Sequence, residues 1–490
     1  MTHLAALHPH DADAPALEFA GQWYAWRWFG DAVAAFDAIL ANAGLPHGTQ
    51  VALVARNRPA HIAAMVGAVA AGRRLSMVYS AQATARIADD VRRMGAPVVA
   101  ADPADWTPEL KAAVRETGAI GIELRHDTDS AATVVTGLEK PGSNANIETN
   151  TGIAFDLLSS GTTGAPKRVP IKTSTFEEVV RDSTKVHAIG ATHTAEAPGI
   201  LVYPLGNIAG LVYTIPLMFG GQRLVLFEKF QLDSWLDTVR RYRPNRIALP
   251  VAALRAILNG NVPAADLESV KIAGVGGSML PVDLQTRFED TYGITLSCSF
   301  GATEFCGVIV GWTPELLAEW SRKKRGSVGL PRPGVTIRVV DADSGKYLPT
   351  GTTGIMEARV QRVGPDWIRT TDLASLDSDG FLYIHGRADQ AINRGGFKVL
   401  PDTVADALRK HPDVADAAVL GAPDDRLGQV PVAFVEPVEG RRPDAAELRA
   451  FAGQHLLAYQ VPARVIVLDK LPRTPSMKIR LADLEPLLRT

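Results

Sequence analysis

Cysteine is scarce in this chain. Cys298 and Cys306 are the only two among 490 residues. That excludes a disulfide framework. No Cys-x-x-Cys or His-x-x-x-His spacing occurs, so a zinc site has no sequence basis either. Both thiols read as packing residues, and their low number fits a reduced, cytoplasmic setting. Long hydrophobic runs are also lacking. The longest, 208–219, carries Gly210 and Pro216 and is too short to span a bilayer. The N-terminal stretch has neither a basic start nor a sustained apolar core, so no signal peptide is expected. Charge of either sign is not in excess, with a formal net charge of -2, and nothing favours a nucleic-acid groove. The one basic cluster, Arg322, Lys323, Lys324 and Arg325, reads as a solvated loop.

What is present is an ordinary globular composition, 46% hydrophobic with 43 Gly and 32 Pro. The length exceeds what one core sustains, so at least two domains are expected. Continuous apolar runs at 51–54, 98–101, 199–203, 223–227, 246–249 and 270–274 read as buried strands. Helical patterns such as 61–71 lie between them. That alternation predicts mostly parallel sheets flanked by helices. Ligands in such sheets bind beyond the carboxyl ends of strands. After Gly326 the pattern changes. Runs at 336–340, 355–360 and 381–384 alternate polar and apolar residues, which predicts a small antiparallel subdomain. A last unit follows, with helices at 402–410 and 445–457 and strands at 414–420, 430–436 and 464–468. The fold class is therefore α/β, with a large N-terminal domain and a small α+β C-terminal unit.

One loop dominates the chemistry. Ser159, Ser160, Gly161, Thr162, Thr163, Gly164 and Lys167 pack hydroxyls, glycines and a lysine into nine positions. Glycines let backbone N–H groups approach a phosphate, hydroxyls donate to its oxygens, and lysine adds a point charge. A Walker A loop would end in Gly-Lys-Ser/Thr. Here Pro166 precedes the lysine and Arg168 follows it, so that alternative fails. Further motifs follow in order. They are Gly276-Gly277-Ser278-Met279, Ser299-Phe300-Gly301-Ala302-Thr303-Glu304, and a Gly/Pro-rich run over 326–334. Then come 369–372 ending in Asp372, Gly386-Arg387-Ala388-Asp389, Gly395-Gly396, and 471–478 ending in Lys478.

In this order and spacing, from Val51 to Lys478, the set resembles the adenylate-forming superfamily. That superfamily holds acyl-CoA synthetases, nonribosomal adenylation domains and firefly luciferase. The resemblance implies ATP-dependent activation of a carboxylic acid as an acyl-adenylate, with pyrophosphate release. It implies domains at 1–388 and 389–490, the second a mobile lid hinged near Asp389. By the same resemblance the 159–167 loop cradles the β- and γ-phosphates. Glu304 binds Mg²⁺ and Thr303 donates to the α-phosphate. Gly276, Gly277 and Ser278, with Ser299, Phe300, Gly301 and Ala302, line the nucleotide. Asp372 accepts the ribose hydroxyls and Arg387 adds a donor. Lys478 bridges carboxylate and α-phosphate as the catalytic lysine. Gly395 and Gly396 line the passage for the second step. Tyr203, Asn207, Gly274 and Met279 border the acyl pocket, whose apolar surroundings suit an apolar or aromatic acid.

Four positions depart from the family pattern. Arg168, Thr371 and Met477 stand where glycine is usual, and Asn207 where histidine is usual. A glycine replacement is a backbone concern wherever φ is positive. Three functions stay open on the sequence. The acyl group passes to CoA, it passes to an amine, or the chain binds nucleotide without catalysis. The first draws on Gly395 and Gly396 and on the absence of a carrier domain. The second draws on the departures near Asp389 and Lys478. Retention of Lys167, Glu304, Asp372 and Lys478 argues against the third.

Overall fold

A computed structural model of the chain describes residues 11–128, 130–143, 145–147, 152–159, 167–188 and 197–489. Among them the chain divides into two compact units. One holds the residues up to Ala248 together with Gly301–Val308. The other holds Leu249–Phe300 and the residues from Ile309 onward.

The first unit is built on a seven-stranded sheet. Its order is Ala132–Val134, Ile120–Leu124, Val98–Ala101, Val51–Ala55, Leu75–Tyr79, Ile153–Ser159 and Lys167–Lys172. The five inner strands are parallel and both edges are antiparallel. Helices Pro59–Ala70, Thr84–Met94 and Pro108–Thr117 make the crossovers. Alternate side chains serve different cores, as the two-residue strand period requires. Val51 and Leu53 join a core with helices Trp26–Asn42 and Pro59–Ala70. Ala52 and Val54 join another with Ile87, Val91, Leu110 and Val114. All five residues of Val51–Ala55 are buried, which is why the run reads as continuously apolar. A smaller sheet orders Gly199–Leu201, Leu224–Leu226, Pro15–Phe19 and Gln22–Ala25. The apolar run 208–219 is helix Ile208–Phe219, with Pro216 inside it. Among the described residues no helix is long and apolar enough to cross a membrane.

In the second unit, strands Ile272–Gly276 and Thr295–Cys298 run parallel. A four-stranded antiparallel sheet follows, ordered Val335–Val340, Gly354–Val360, Ile368–Leu376 and Leu382–Arg387. The expected antiparallel subdomain is therefore present, with one strand, Ile368–Leu376, that the sequence pattern did not announce. The last sheet orders Phe397–Val399, Ile392–Arg394, Gly428–Pro437 and Val414–Asp424, with Arg464–Val467 parallel to Gly428–Pro437. Helices Pro401–Arg409 and Ala445–His455 share its core through Val404, Leu408, Leu448 and Ala452. These are the expected elements of the C-terminal unit, each within a few residues of its expected bounds.

The basic cluster corrects its expectation. Lys324 is no solvated loop residue. Its ammonium donates to Asp377 and Asp379 and lies over the rings of Trp320 and Phe381. Arg325 pairs with Glu289 and Asp290. Arg322 and Lys323 are exposed in the turn, as expected, so the correction concerns Lys324 and Arg325.

Candidate active site

The first unit carries Lys167 and Glu304. Ser160, Gly161, Thr162, Thr163 and Gly164 lie outside the described residues. Ser159 closes strand Ile153–Ser159, and Lys167 pairs with it in register at the start of Lys167–Lys172. Lys167 is exposed. Arg168, beside it, donates to the Met77 carbonyl at 3.0 Å and to Asp90 at 2.5 Å. A glycine could not tie this edge strand to helix Thr84–Met94, so this departure is an anchor.

Thr303 and Glu304 form a one-turn 3-10 helix, Thr303–Phe305, that lies beside strand Lys167–Lys172. Phe305 is buried beneath the turn, while Glu304 is exposed and Thr303 half-buried. A Cβ placed on nearby Gly307 would stand 3.3 Å from Val212, so the segment after Glu304 abuts helix Ile208–Phe219. Asn207 caps that helix, its Oδ1 accepting from the Gly210 N–H at 3.0 Å. A carboxamide at the N-cap satisfies an orphan backbone donor. Tyr203 stacks on Tyr213 with centroids 5.3 Å apart. Lys167, Thr303, Glu304, Asn207 and Tyr203 thus occupy neighbouring elements of one unit. Gly301 and Ala302 precede them on strand Phe300–Ala302.

The second unit brings together more of the expected set. Gly274 is the middle residue of strand Ile272–Gly276, Gly276 closes it, and Gly277, Ser278 and Met279 follow directly. Ser299 and Phe300 follow the parallel neighbour Thr295–Cys298, and the Ser299 N–H donates to the Val275 carbonyl. Both segments therefore leave their strands side by side, where such sheets bind ligands. Gly277 has φ +86, a left-handed conformation that glycine adopts without strain, and a Cβ there would stand 3.7 Å from Cε of Lys478. Cys298 is buried and its thiol is pushed up to about 12 by that burial. It is packing, as expected.

Asp372 and Arg387 sit opposite each other in the register of strands Ile368–Leu376 and Leu382–Arg387. Arg387 also donates to both oxygens of Asp389, at 3.0 and 2.8 Å, across the 3-10 turn Ala388–Gln390. The expected nucleotide donor and the expected hinge carboxylate are thus a bidentate pair. Lys478 retains exposed surface, yet protein atoms crowd its ammonium. That burial first, and the Arg387 guanidinium second, lower its pKa from the ordinary lysine value. Lys478 thus lies beside Gly277, and Asp372 lies beside Arg387, whose charge Lys478 feels.

Two glycine departures resolve differently. Thr371 has no positive φ, and it lies where strand Ile368–Leu376 slips register against Gly354–Val360. Met477 has φ 61, the conformation feared from the sequence. Gly395 and Gly396, with φ +55 and +89, form the two-residue turn of hairpin Ile392–Arg394/Phe397–Val399. Two positive φ values are what such a turn requires.

Solved structures of adenylate-forming ligases share this fold along the whole chain. The o-succinylbenzoate coenzyme A synthetase MenE of Bacillus subtilis, in complex with ATP and magnesium ion, superposes with TM-score 0.78 at 24% identity, covering 100% of this chain and 99% of that one. The amide bond synthetase McbA of Marinactinospora thermotolerans gives TM-score 0.78 at 23% identity, covering 99% and 98%. An indoleacetate–CoA ligase of Aromatoleum aromaticum is 29% identical over 371 residues, 72% of this chain and 71% of that protein. Residues 5–363 match the AMP-binding enzyme family and residues 403–478 its C-terminal domain. The chain belongs to the AMP-binding enzyme family, a family of ATP-dependent, AMP-forming ligases.

Proposed function

We propose that this enzyme activates an apolar or aromatic carboxylic acid with ATP and passes the acyl group to CoA. The observation that carries the reading is the approach of Lys478 to Gly277, two motifs far apart in sequence. The CoA ligase relatives support the acceptor.

In the first half-reaction a carboxylate oxygen attacks the α-phosphorus of ATP. The bond from that phosphorus to the bridging oxygen breaks, and pyrophosphate leaves. Two anions must meet, so charge has to be offset and both partners held in line. Lys478 would donate to the attacking carboxylate and the α-phosphate, where charge grows in the transition state. Asp372 would accept from the vicinal ribose hydroxyls, since a carboxylate offers two acceptor oxygens. Lys167 and the 159–164 loop would hold the β- and γ-phosphates. Glu304 suits Mg²⁺, because it is an exposed carboxylate and this ion takes one or two carboxylates and completes its shell with phosphate oxygens and water. When bound, the ion would draw charge off those oxygens. In the second half-reaction the CoA thiolate attacks the acyl carbon. The bond from that carbon to the phosphate oxygen breaks, AMP leaves, and the thiol proton has gone to solvent. We further propose that the 389–490 unit is a lid that turns near Asp389 between the two steps.

Transfer to an amine is the second reading. It draws on Met477 beside the catalytic lysine and on the amide bond synthetase among the structural neighbours. The test is pyrophosphate release with indole-3-acetate, 4-coumarate, 2-succinylbenzoate, sulfoacetate and benzoate, followed by product analysis with CoA or a primary amine offered. Release with an aromatic acid and a thioester only with CoA is the expected result. An amide without thioester would replace the first reading with the second.

A further inference from the structure

Lys478 stands on a tight turn whose backbone is self-bonded. The Thr474 N–H donates to the Lys478 carbonyl at 2.8 Å, and the Met477 N–H to the Thr474 carbonyl at 2.8 Å. The Lys478 N–H donates to Thr474 Oγ1 at 3.2 Å. Arg473 and Ile479 bridge the two sides. Within this turn Met477 takes a left-handed φ of 61 that a side chain disfavours.

One side chain grips that turn from below. The Arg473 guanidinium donates to the Met477 carbonyl at 3.2 Å. It also donates to Asp416 at 2.8 Å and to Glu436 at 3.2 Å. Glu436 accepts in addition from the Leu471 N–H at 3.0 Å, where the segment begins. Asp416 is buried and accepts from Arg409 at 2.8 Å, and Arg255 lies 3.8 Å from it. Burial alone would raise the Asp416 carboxyl; Arg409, Arg255 and Arg473 outweigh it and hold the carboxyl below its usual range. The anionic end of the grip is therefore fixed in the core of the sheet. Arg's planar fork spreads five donors in a fixed geometry, where a lysine offers one compact, rotatable ammonium.

We propose that Arg473 is a positioning residue for Lys478. It holds Met477 in the left-handed conformation by its carbonyl and so fixes where the next side chain points. The proposal rests on the reading of Lys478 as the residue that acts on the nucleotide, but its test need not.

The test uses the full chain and two variants, Arg473→Lys and Arg473→Lys/Met477→Gly. Arg473→Lys keeps a positive charge for Asp416 and Glu436 and is chosen because Arg473→Ala risks the fold. Lys478 is labelled with trace acetic anhydride across pH 7 to about 12, and its labelling midpoint is read by peptide mass spectrometry. Arg387 is the charged group that the structure sets against Lys478. In the wild type the midpoint should lie below the ordinary lysine value of about 10.4. Arg473→Lys should move it up to that value, because the ammonium leaves its crowded place. Glycine at 477 adopts the left-handed conformation unaided, so the double variant should return toward the wild-type midpoint. The adenylation rate with the acid found above should fall about 10²-fold in Arg473→Lys, in kcat rather than in KM for ATP, and recover in the double variant. An unmoved midpoint in Arg473→Lys overturns the proposal. A moved midpoint that glycine does not restore overturns the turn mechanism. A rate unaffected by Lys478→Ala would instead sink the functional reading and leave the labelling result standing.

Discussion

Two turns in the C-terminal unit solve the same backbone problem with different chemistry. The hairpin turn at Gly395 and Gly396 needs two positive φ values and supplies two glycines. The turn before Lys478 needs one and supplies Met477. Glycine enters the left-handed region without penalty but brings the entropy of a free chain. Methionine enters it against a strain of roughly 1–2 kcal/mol, so something else must hold it there. At 477 that hold is visible in the Arg473 guanidinium and the bonds to Thr474. At 395–396 the surroundings do less, although the Gly395 N–H donates to the Leu427 carbonyl. The difference teaches that a missing family glycine does not mean a missing conformation. It means that the conformation has been moved from the intrinsic preference of one residue to the contacts of its neighbours.

The comparison breaks first at the side chain the second turn presents. Lys478→Ala should lower the rate of acyl-adenylate formation by about 10²–10³, the usual loss for one preorganised donor. Thioester formation from a synthetic acyl-adenylate and CoA should lose far less. Two single-turnover rates, one per half-reaction, check this. Equal losses would mean that Lys478 supports the fold of its unit rather than one step.

Asp372 lies outside either turn and calibrates them. Asp372→Ala removes the carboxylate proposed to accept the ribose hydroxyls and should weaken ATP by roughly 1.5–3 kcal/mol, the worth of a charge-assisted hydrogen bond. Affinity for the acid should change little. Calorimetric titration of ATP reads the loss, and an unchanged affinity would remove Asp372 from the nucleotide site.

Much of this was legible before the structure. The apolar run 51–54 announces a buried strand, found as Val51–Ala55, and the helices expected at 402–410 and 445–457 are found as Pro401–Arg409 and Ala445–His455. The concern at Met477 followed from glycine being usual there, and the backbone bears it out. Other features had no local signal. Strand Ile368–Leu376 is mostly half-buried, so its apolar period is weak. The hairpin strands beside Gly395 are three residues each, too short to show a period. Asn207 was read as a pocket residue from its motif, whereas its capping bond depends on where the helix begins. Arg473 stands inside a motif quoted for its lysine. Its partners, Asp416 and Glu436, lie in strands far back along the chain, and no local pattern links them.

Gly396→Ala sharpens the glycine side of the comparison. A Cβ there meets nothing within 4 Å, so the substitution tests backbone preference without a clash. The expected cost is roughly 1–2 kcal/mol in the stability of the C-terminal unit, read as faster hydrogen exchange across the hairpin. Thioester formation should slow more than adenylate formation, because the motif resemblance assigns this turn to the second step. Slowing of adenylate formation alone would reassign the hairpin.

The smallest effect is expected at Met477 itself. Met477→Gly removes a left-handed strain of roughly 1–2 kcal/mol. It also frees the unfolded chain, at a cost of roughly 0.5–1 kcal/mol. The balance is a gain of about 0.5–1 kcal/mol, because the bonds around the turn use backbone atoms that glycine keeps. Hydrogen exchange of the Thr474 and Met477 amides reads this balance where it acts. Both amides donate within the turn, so a gain makes them exchange more slowly. The sign carries the information. Slower exchange means that Met477 is strained and that its neighbours have been holding it. Faster exchange would mean that the methionine side chain contributes more than its backbone costs. The two turns would then differ in packing rather than in where the conformation is stored.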